Sequence, residues 1–288
     1  MILGLQVALF ALFGLLFGSF ANVVIWRFPR KESLSYPASH CPKCNNPLKP
    51  YDNIPVVSYL ILRGKCRFCK YPISPRYPIV ELTSALLCAL APIVTINLIQ
   101  AIACAIFLYL LLILSFIDYD THKLPNGLVG LLGGIGIIGV IISSIKVPTT
   151  LQYPWAHCAA IPHQALPFFA SSTLASPYID ALGGILVTAG PAFLVALLYK
   201  VIRKKQGFGM GDIKLLAVIG LFLGYYGALV LPAAAIIGLI VMIIGSLGNQ
   251  KVSLSAKIPF GPFIAFASLG ILMFGPQAWS WYMQLLIK

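Results

Sequence analysis

Four cysteines fall in two pairs of identical spacing, Cys41-Pro42-Lys43-Cys44 and Cys66-Arg67-Phe68-Cys69. Two such turns can close a tetrahedral thiolate shell around Zn²⁺, and because four thiolates leave no open position the ion would be structural. The surrounding Lys and Arg favour the thiolate form. Two disulfides or a redox pair are the competing readings. The segment reads as lying on a reducing side and has few large apolar residues to build a core, which favours a metal staple. His40 reads as a solvated neighbour, and Cys88 and Cys104, inside apolar runs, as small core residues.

The second chemistry is acidic. The chain has seven carboxylates, Glu32, Asp52, Glu81, Asp118, Asp120, Asp180 and Asp212. Asp118 closes an apolar run and is followed by Asp120 and by Leu124-Pro125-Asn126; Asp212 sits in Gly209-Met210-Gly211-Asp212-Ile213-Lys214, where another apolar run begins. Ionisable groups bordering hydrocarbon are expensive and are therefore functional candidates. Two carboxylates brought together share a proton, so one can activate water while the other protonates a leaving group. The glycines remove side chains and permit close backbone approach beside Asp212. The alternative is that these aspartates cap helices or pair with Lys123 and Lys214. Asp120 lies two residues after Asp118, about 200° away if the helix continues, so both could face one water only if the helix ends there.

The elements that carry these residues follow from composition. Of 288 residues 59% are hydrophobic and 9% charged, far below the roughly 25% charged of soluble domains. Apolar runs at 2–25, 79–97, 98–117, 127–145, 181–199, 213–226, 228–246 and 259–275 predict an all-α polytopic membrane protein of about eight transmembrane helices. Residues 27–78 break this pattern with ten basic residues. If they are cytoplasmic, 18 of the 20 Lys and Arg fall on or beside that face, leaving Lys146 and Lys288 outside. Topology thus accounts for most of the +13 net charge, and nucleic acid is not an expected partner. The expected division is a first helix at 1–26, a small cytoplasmic zinc-binding domain of four cysteines at 27–78 and a membrane-embedded aspartic protease domain at 79–288. An outside loop at 146–180, with Trp155, His157, Cys158 and His163, reads as an outer cover. Residues 1–26 lack a basic leading region and read as an uncleaved span. Arg203-Lys204-Lys205 reads as a topology anchor, Trp279-Ser280-Trp281-Tyr282 as an interfacial anchor, and no internal repeat stands out.

Together these motifs resemble the type IV prepilin peptidase family of leader peptidases and N-methyltransferases. The resemblance runs through Gly18-Ser19-Phe20-Ala21-Asn22-Val23-Val24 with Arg27, Tyr51-Asp52-Asn53-Ile54-Pro55-Val56, the cysteine pairs, Arg76-Tyr77-Pro78-Ile79-Val80-Glu81, the Asp118 to Asn126 stretch and Gly209 to Lys214. It implies a catalytic pair Asp118 and Asp212, supported by Asp120, Gly209, Gly211 and Lys214. It further implies cleavage of the leader of prepilins and pseudopilins at the bacterial inner membrane, with both active sites facing the cytoplasm. The new amino terminus is then methylated with S-adenosylmethionine. Gly64, Lys65 and Glu81 are the methyl-donor candidates; a turn glycine, a solvated lysine and a Glu paired with Arg76 are their bland counterparts. A peptidase without methyl transfer, a proton-coupled transporter and a non-enzymatic assembly factor are the alternatives. Oligomeric state is not encoded.

Overall fold

The computed structural model describes residues 2–95, 98–144, 177–204, 209–247 and 259–286. Trp155, His157, Cys158, His163 and Lys205 lie outside the described residues. Within them the fold is helical with no β-strand, and a helix falls within or across each of the eight apolar runs. Among the described residues, five stretches are long and apolar enough to cross a membrane: Leu3–Arg30, Arg76–Val94, Ala101–Thr121, Tyr178–Arg203 and Met210–Ser246. The chain forms two compact units, residues 1–113 and 114–288.

In the first unit α1 (Ile2–Arg27) packs along α3 (Arg76–Val94). Small residues let the backbones approach: a Cβ on Gly18 would lie 2.7 Å from Glu81 Cα, the close packing that membrane helices use. Asn22 donates to the carbonyls of Gly18 and Tyr77, each at 3.3 Å. Tyr109, on α4 (Leu98–Thr121), donates to the Phe17 carbonyl at 3.0 Å. The Arg27 guanidinium gathers the departing chain by donating to the Ser33 and Pro37 carbonyls, 3.0 and 2.7 Å. A short helix α2 (Val57–Ile61) separates the two cysteine turns.

Those turns correct the expectation of no repeat, because they are copies of one another at an offset of 25 residues. In the first, the Cys41 amide donates to the Asn46 carbonyl, Asn45 to Cys41 and Leu48 to Ser39. In the second, Cys66 donates to Tyr71, Lys70 to Cys66 and Ile73 to Gly64. Asn45 and Lys70 are both left-handed, at φ 56° and 57°, and a proline follows each pair at the same place, Pro47 and Pro72.

In the second unit α7 (Met210–Leu223) is the central helix. Ile213, Leu215, Leu216, Ile219, Leu221, Phe222 and Leu223 are all buried, so apolar residues surround it on every side, as expected of an enclosed helix. It packs against α5 (Asn126–Ser144), α6 (Pro177–Arg203) and α9 (Gly261–Leu286). After 14 residues it ends at Gly224, whose φ of +56° suits a glycine. A 3₁₀ turn at Gly224–Leu229 leads into α8 (Val230–Leu247). Tyr226 in that turn is buried and meets the Trp279 ring edge-on at 6.3 Å between centroids.

Candidate functional site

The cysteine repeat brings its four sulfurs together. The Cys41, Cys44, Cys66 and Cys69 Sγ atoms all lie within 4.8 Å of one another, with Cys41 Sγ 3.8 Å from Cys69 Sγ. Zinc–sulfur bonds of about 2.3 Å around a tetrahedron require edges of about 3.8 Å, so the donor set has the size and chemistry of a metal shell. Cys41 and Cys66 are buried, Cys69 exposed. The Cys44 and Lys43 amides hold the Cys41 thiol down at about 6. For Cys69 the Tyr71 amide pulls down, but desolvation and the neighbouring thiols outweigh it and push this thiol up to about 11. A divalent cation would balance the negative charge of thiolates gathered this closely. The second turn is tied back by Arg67, which donates to Asp52 Oδ1 through Nη2 at 2.7 Å and through Nε at 3.1 Å. This bidentate pair holds the Asp52 carboxyl below its ordinary range.

Of the methyl-donor candidates, Gly64 has φ +66°, and a Cβ there would lie 3.0 Å from Tyr59 Oη. Its amide donates to the Tyr59 carbonyl at 2.9 Å. The turn thus requires glycine for its own shape. Lys65 is exposed. Glu81 is buried on α3, where its Oε2 accepts the Val56 amide at 2.7 Å.

The aspartates divide as their helix dictates. α4 runs on past Asp118 to Thr121, ending where the His122 amide donates to the Asp118 carbonyl at 2.8 Å and His122 turns left-handed at φ 50°. Asp118 is therefore buried, at 5% exposure, while Asp120 is exposed. Asp212 lies in the first turn of α7, its amide donating to the Gly209 carbonyl at 3.1 Å. The charge of Asp118 bears on Asp212, so the two carboxyls stand within electrostatic reach. Gly209 leaves room for the Asp212 side chain, since a Cβ would lie 2.7 Å from Oδ2. Leu124 packs over Gly211, and Lys214 Nζ donates to Asn126 Oδ1 at 2.9 Å, joining the starts of α5 and α7.

One residue of this site is absent from the sequence-based set. The Gly261 amide, at the start of α9, donates to Asp118 Oδ2 at 2.8 Å, and a Cβ at 261 would lie 2.8 Å from that oxygen. Pro259-Phe260-Gly261-Pro262 carries a signal, a proline in the first turn beside a residue with no side chain, but nothing in it points to a partner 143 residues away.

Comparison with known proteins shows what the chain is similar to. The bacterial peptidase A24 N-terminal domain matches residues 12–95, and the type IV leader peptidase family matches residues 105–244. A prepilin leader peptidase/N-methyltransferase of Aeromonas hydrophila is 33% identical, covering 97% of this chain and 94% of the relative. One of Stutzerimonas stutzeri is 34% identical, covering 94% and 91%. A type 4 prepilin-like proteins leader peptide-processing enzyme of Escherichia coli O78:H11 is 31% identical, covering 90% of each. No solved structure matches the chain.

Proposed function

Because this chain belongs to the type IV leader peptidase family, we propose that it is a bifunctional membrane enzyme that removes the leader of prepilins and pseudopilins and N-methylates the exposed amino terminus. The observation that carries the peptidase reading is the buried Asp118 carboxyl, held by the Gly261 amide and within electrostatic reach of Asp212. One carboxylate of such a pair takes a proton from water as the water oxygen bonds to the scissile carbonyl carbon, and the other gives its proton to the carbonyl oxygen; as the C–N bond breaks, the first passes the proton it took to the departing amine and the second recovers one from the diol. Gly261 fixes one Asp118 oxygen as acceptor. Leu124 on Gly211 and the Lys214–Asn126 contact hold the two helix ends together. Asp120, Gly209, Gly211 and Lys214 are thus supporting residues.

Methyl transfer is assigned to the cysteine-containing domain of residues 27–78, with Gly64 and Lys65 at its methyl-donor face and Glu81 beneath them at the foot of α3. When bound, S-adenosylmethionine supplies an electrophilic methyl group to the free amine. The protein's share is alignment of that amine and exclusion of competing water. Cys41, Cys44, Cys66 and Cys69 hold a structural Zn²⁺. The division into 1–26, 27–78 and 79–288, about eight spans, the inner-membrane location and the cytoplasmic placement of both sites rest on the charge distribution. A proton-coupled transporter is disfavoured because Asp118 and Asp212 sit in the last and first turns of their helices.

The test is incubation of purified protein with a prepilin and isotope-labelled S-adenosylmethionine, read by mass spectrometry. Leader removal followed by gain of one labelled methyl is the expected result. Cleavage without label would leave a peptidase alone, and neither product would end the enzymatic reading.

A further inference from the structure

Val56 is a β-branched residue at φ +61°, ψ −49°. The Val57 amide donates to the Pro55 carbonyl across it, which makes a γ-turn of the rare, strained hand. Such conformations persist only where the surroundings over-determine them. Here the constraint comes from a distant helix: the Val56 amide donates to Glu81 Oε2 at 2.7 Å, and the Ser19 hydroxyl of α1 hydrogen-bonds to the same carboxyl group. Glu81 is buried, and its place against α1 is fixed by the Gly18 approach to its Cα. The carboxylate is thereby engaged by groups of this chain on α1 and on the loop.

What the turn holds is legible outward from Val56. Its carbonyl accepts the Leu60 amide and so starts α2; α2 carries Tyr59, whose ring lies against Gly64 and whose carbonyl accepts the Gly64 amide. Gly64 opens the second cysteine turn, which Arg67 ties to Asp52 on the near side of the same loop. A continuous set of contacts therefore runs from the foot of α1 and α3 to Gly64 and Lys65.

We propose that Glu81 is a positioning residue for methyl transfer: its carboxylate latches the strained Val56 turn to the membrane helix pair, and so sets where the Gly64–Lys65 face stands relative to the foot of α1 and α3. This rests on the reading that methyl transfer takes place at that face. The latch acts by geometry and not by charge on the methyl donor. Reach and charge can be separated at this position. Glu81→Gln keeps an oxygen at the same distance and can still accept the Val56 amide. Glu81→Asp keeps the charge but withdraws it by one methylene.

The experiment uses the purified full-length enzyme with a prepilin, titrating S-adenosylmethionine and reading cleavage and methylation rates by mass spectrometry. Glu81→Asp is expected to lower methylation kcat by about tenfold, the factor that about 1.4 kcal/mol of lost turn stability gives. Cleavage and metal content should stay near wild type. Glu81→Gln should retain methylation within about threefold. Because glycine tolerates the turn unaided, Val56→Gly placed in the Glu81→Asp background should recover most of the loss, and hydrogen exchange in residues 51–62 should rise in Glu81→Asp and not in Glu81→Gln. The reverse pattern, Gln inactive and Asp active, would overturn the latch in favour of a charge acting on the methyl donor. Normal methylation by Glu81→Asp would overturn it too. Lys65→Ala then separates the two failures: reduced methylation there leaves the location standing without the latch, and unchanged methylation removes both.

Discussion

Gly261→Ala puts one methyl group into the proposed peptidase site. Its Cβ would lie 2.8 Å from Asp118 Oδ2, 3.0 Å from Cβ and 3.1 Å from Cγ. Real Cβ contacts do not approach so closely, so either the start of α9 or the Asp118 side chain must shift. Either movement stretches the 2.8 Å hydrogen bond from the Gly261 amide. A hydrogen bond to a charged group is worth about 1.5–3 kcal/mol, which corresponds to roughly 10- to 150-fold in rate. A displacement of about 1 Å at reacting groups costs a similar factor. We therefore expect kcat for leader cleavage to fall by roughly 10- to 150-fold with KM for the prepilin little changed, because the residue touches the dyad. The assay is initial-rate cleavage of a purified prepilin at several concentrations. Gly130→Ala on α5, where nothing lies within 4 Å of the added carbon, serves as the control and should cleave normally. A Gly261→Ala enzyme within twofold of wild-type kcat would refute the reasoning that this amide positions Asp118.

Asp118→Asn and Asp212→Asn should each abolish cleavage while protein accumulates normally, whereas the exposed Asp120 should tolerate asparagine; equal loss at Asp120 would mean that the wrong member of the pair was chosen. Elemental analysis should find about one zinc per chain, and removing it by chelation or Cys66→Ser should speed proteolysis within 27–78 and reduce methylation more than cleavage. Lys214→Met, which loses the 2.9 Å contact with Asn126, should lower cleavage severalfold, with Lys214→Arg partly restoring it. Gly64→Ser forces a side chain onto a left-handed backbone, at a cost of about 1–3 kcal/mol. It should reduce methyl transfer by more than tenfold with leader removal largely intact, as read from the ratio of methylated to unmethylated processed pilin.

What the sequence discloses about this molecule is what is local along it. Each Cys-x-x-Cys pair announces itself because both ligands of a turn are within four residues, and Asp118 and Asp212 stand out because carboxylates are rare beside apolar runs. The choice of Asp118 over Asp120 came from the resemblance, because spacing alone left open whether α4 continues; the left-handed His122 ends the helix one turn later, with Asp118 buried and Asp120 exposed. Gly261 and Val56 were opaque for a different reason. Their function lies in backbone amides, which every residue except proline possesses, so no side-chain pattern marks them. The repeat of the cysteine turns is carried mainly by hydrogen bonds and by left-handed Asn45 and Lys70, two residues of unrelated type. Among side chains the cysteines, Pro47 with Pro72 and Pro50 with Pro75 betray the offset.

The shortness of α7 bears on how water reaches the peptidase. Fourteen residues at about 1.5 Å each give a helix of about 21 Å, against a hydrocarbon thickness of about 30 Å. A helix enclosed by protein need not match its surroundings as a lipid-facing one must, and the difference can be taken up by a recess at its end. With Asp212 in the first turn of α7, a recess at that end would set the proposed dyad below the headgroups, open to a substrate helix from the lipid side and to water from the aqueous side. Hydrolysis beside hydrocarbon then needs no channel through the bundle. Its rate should instead follow acyl-chain length, falling as thicker bilayers close over the recess.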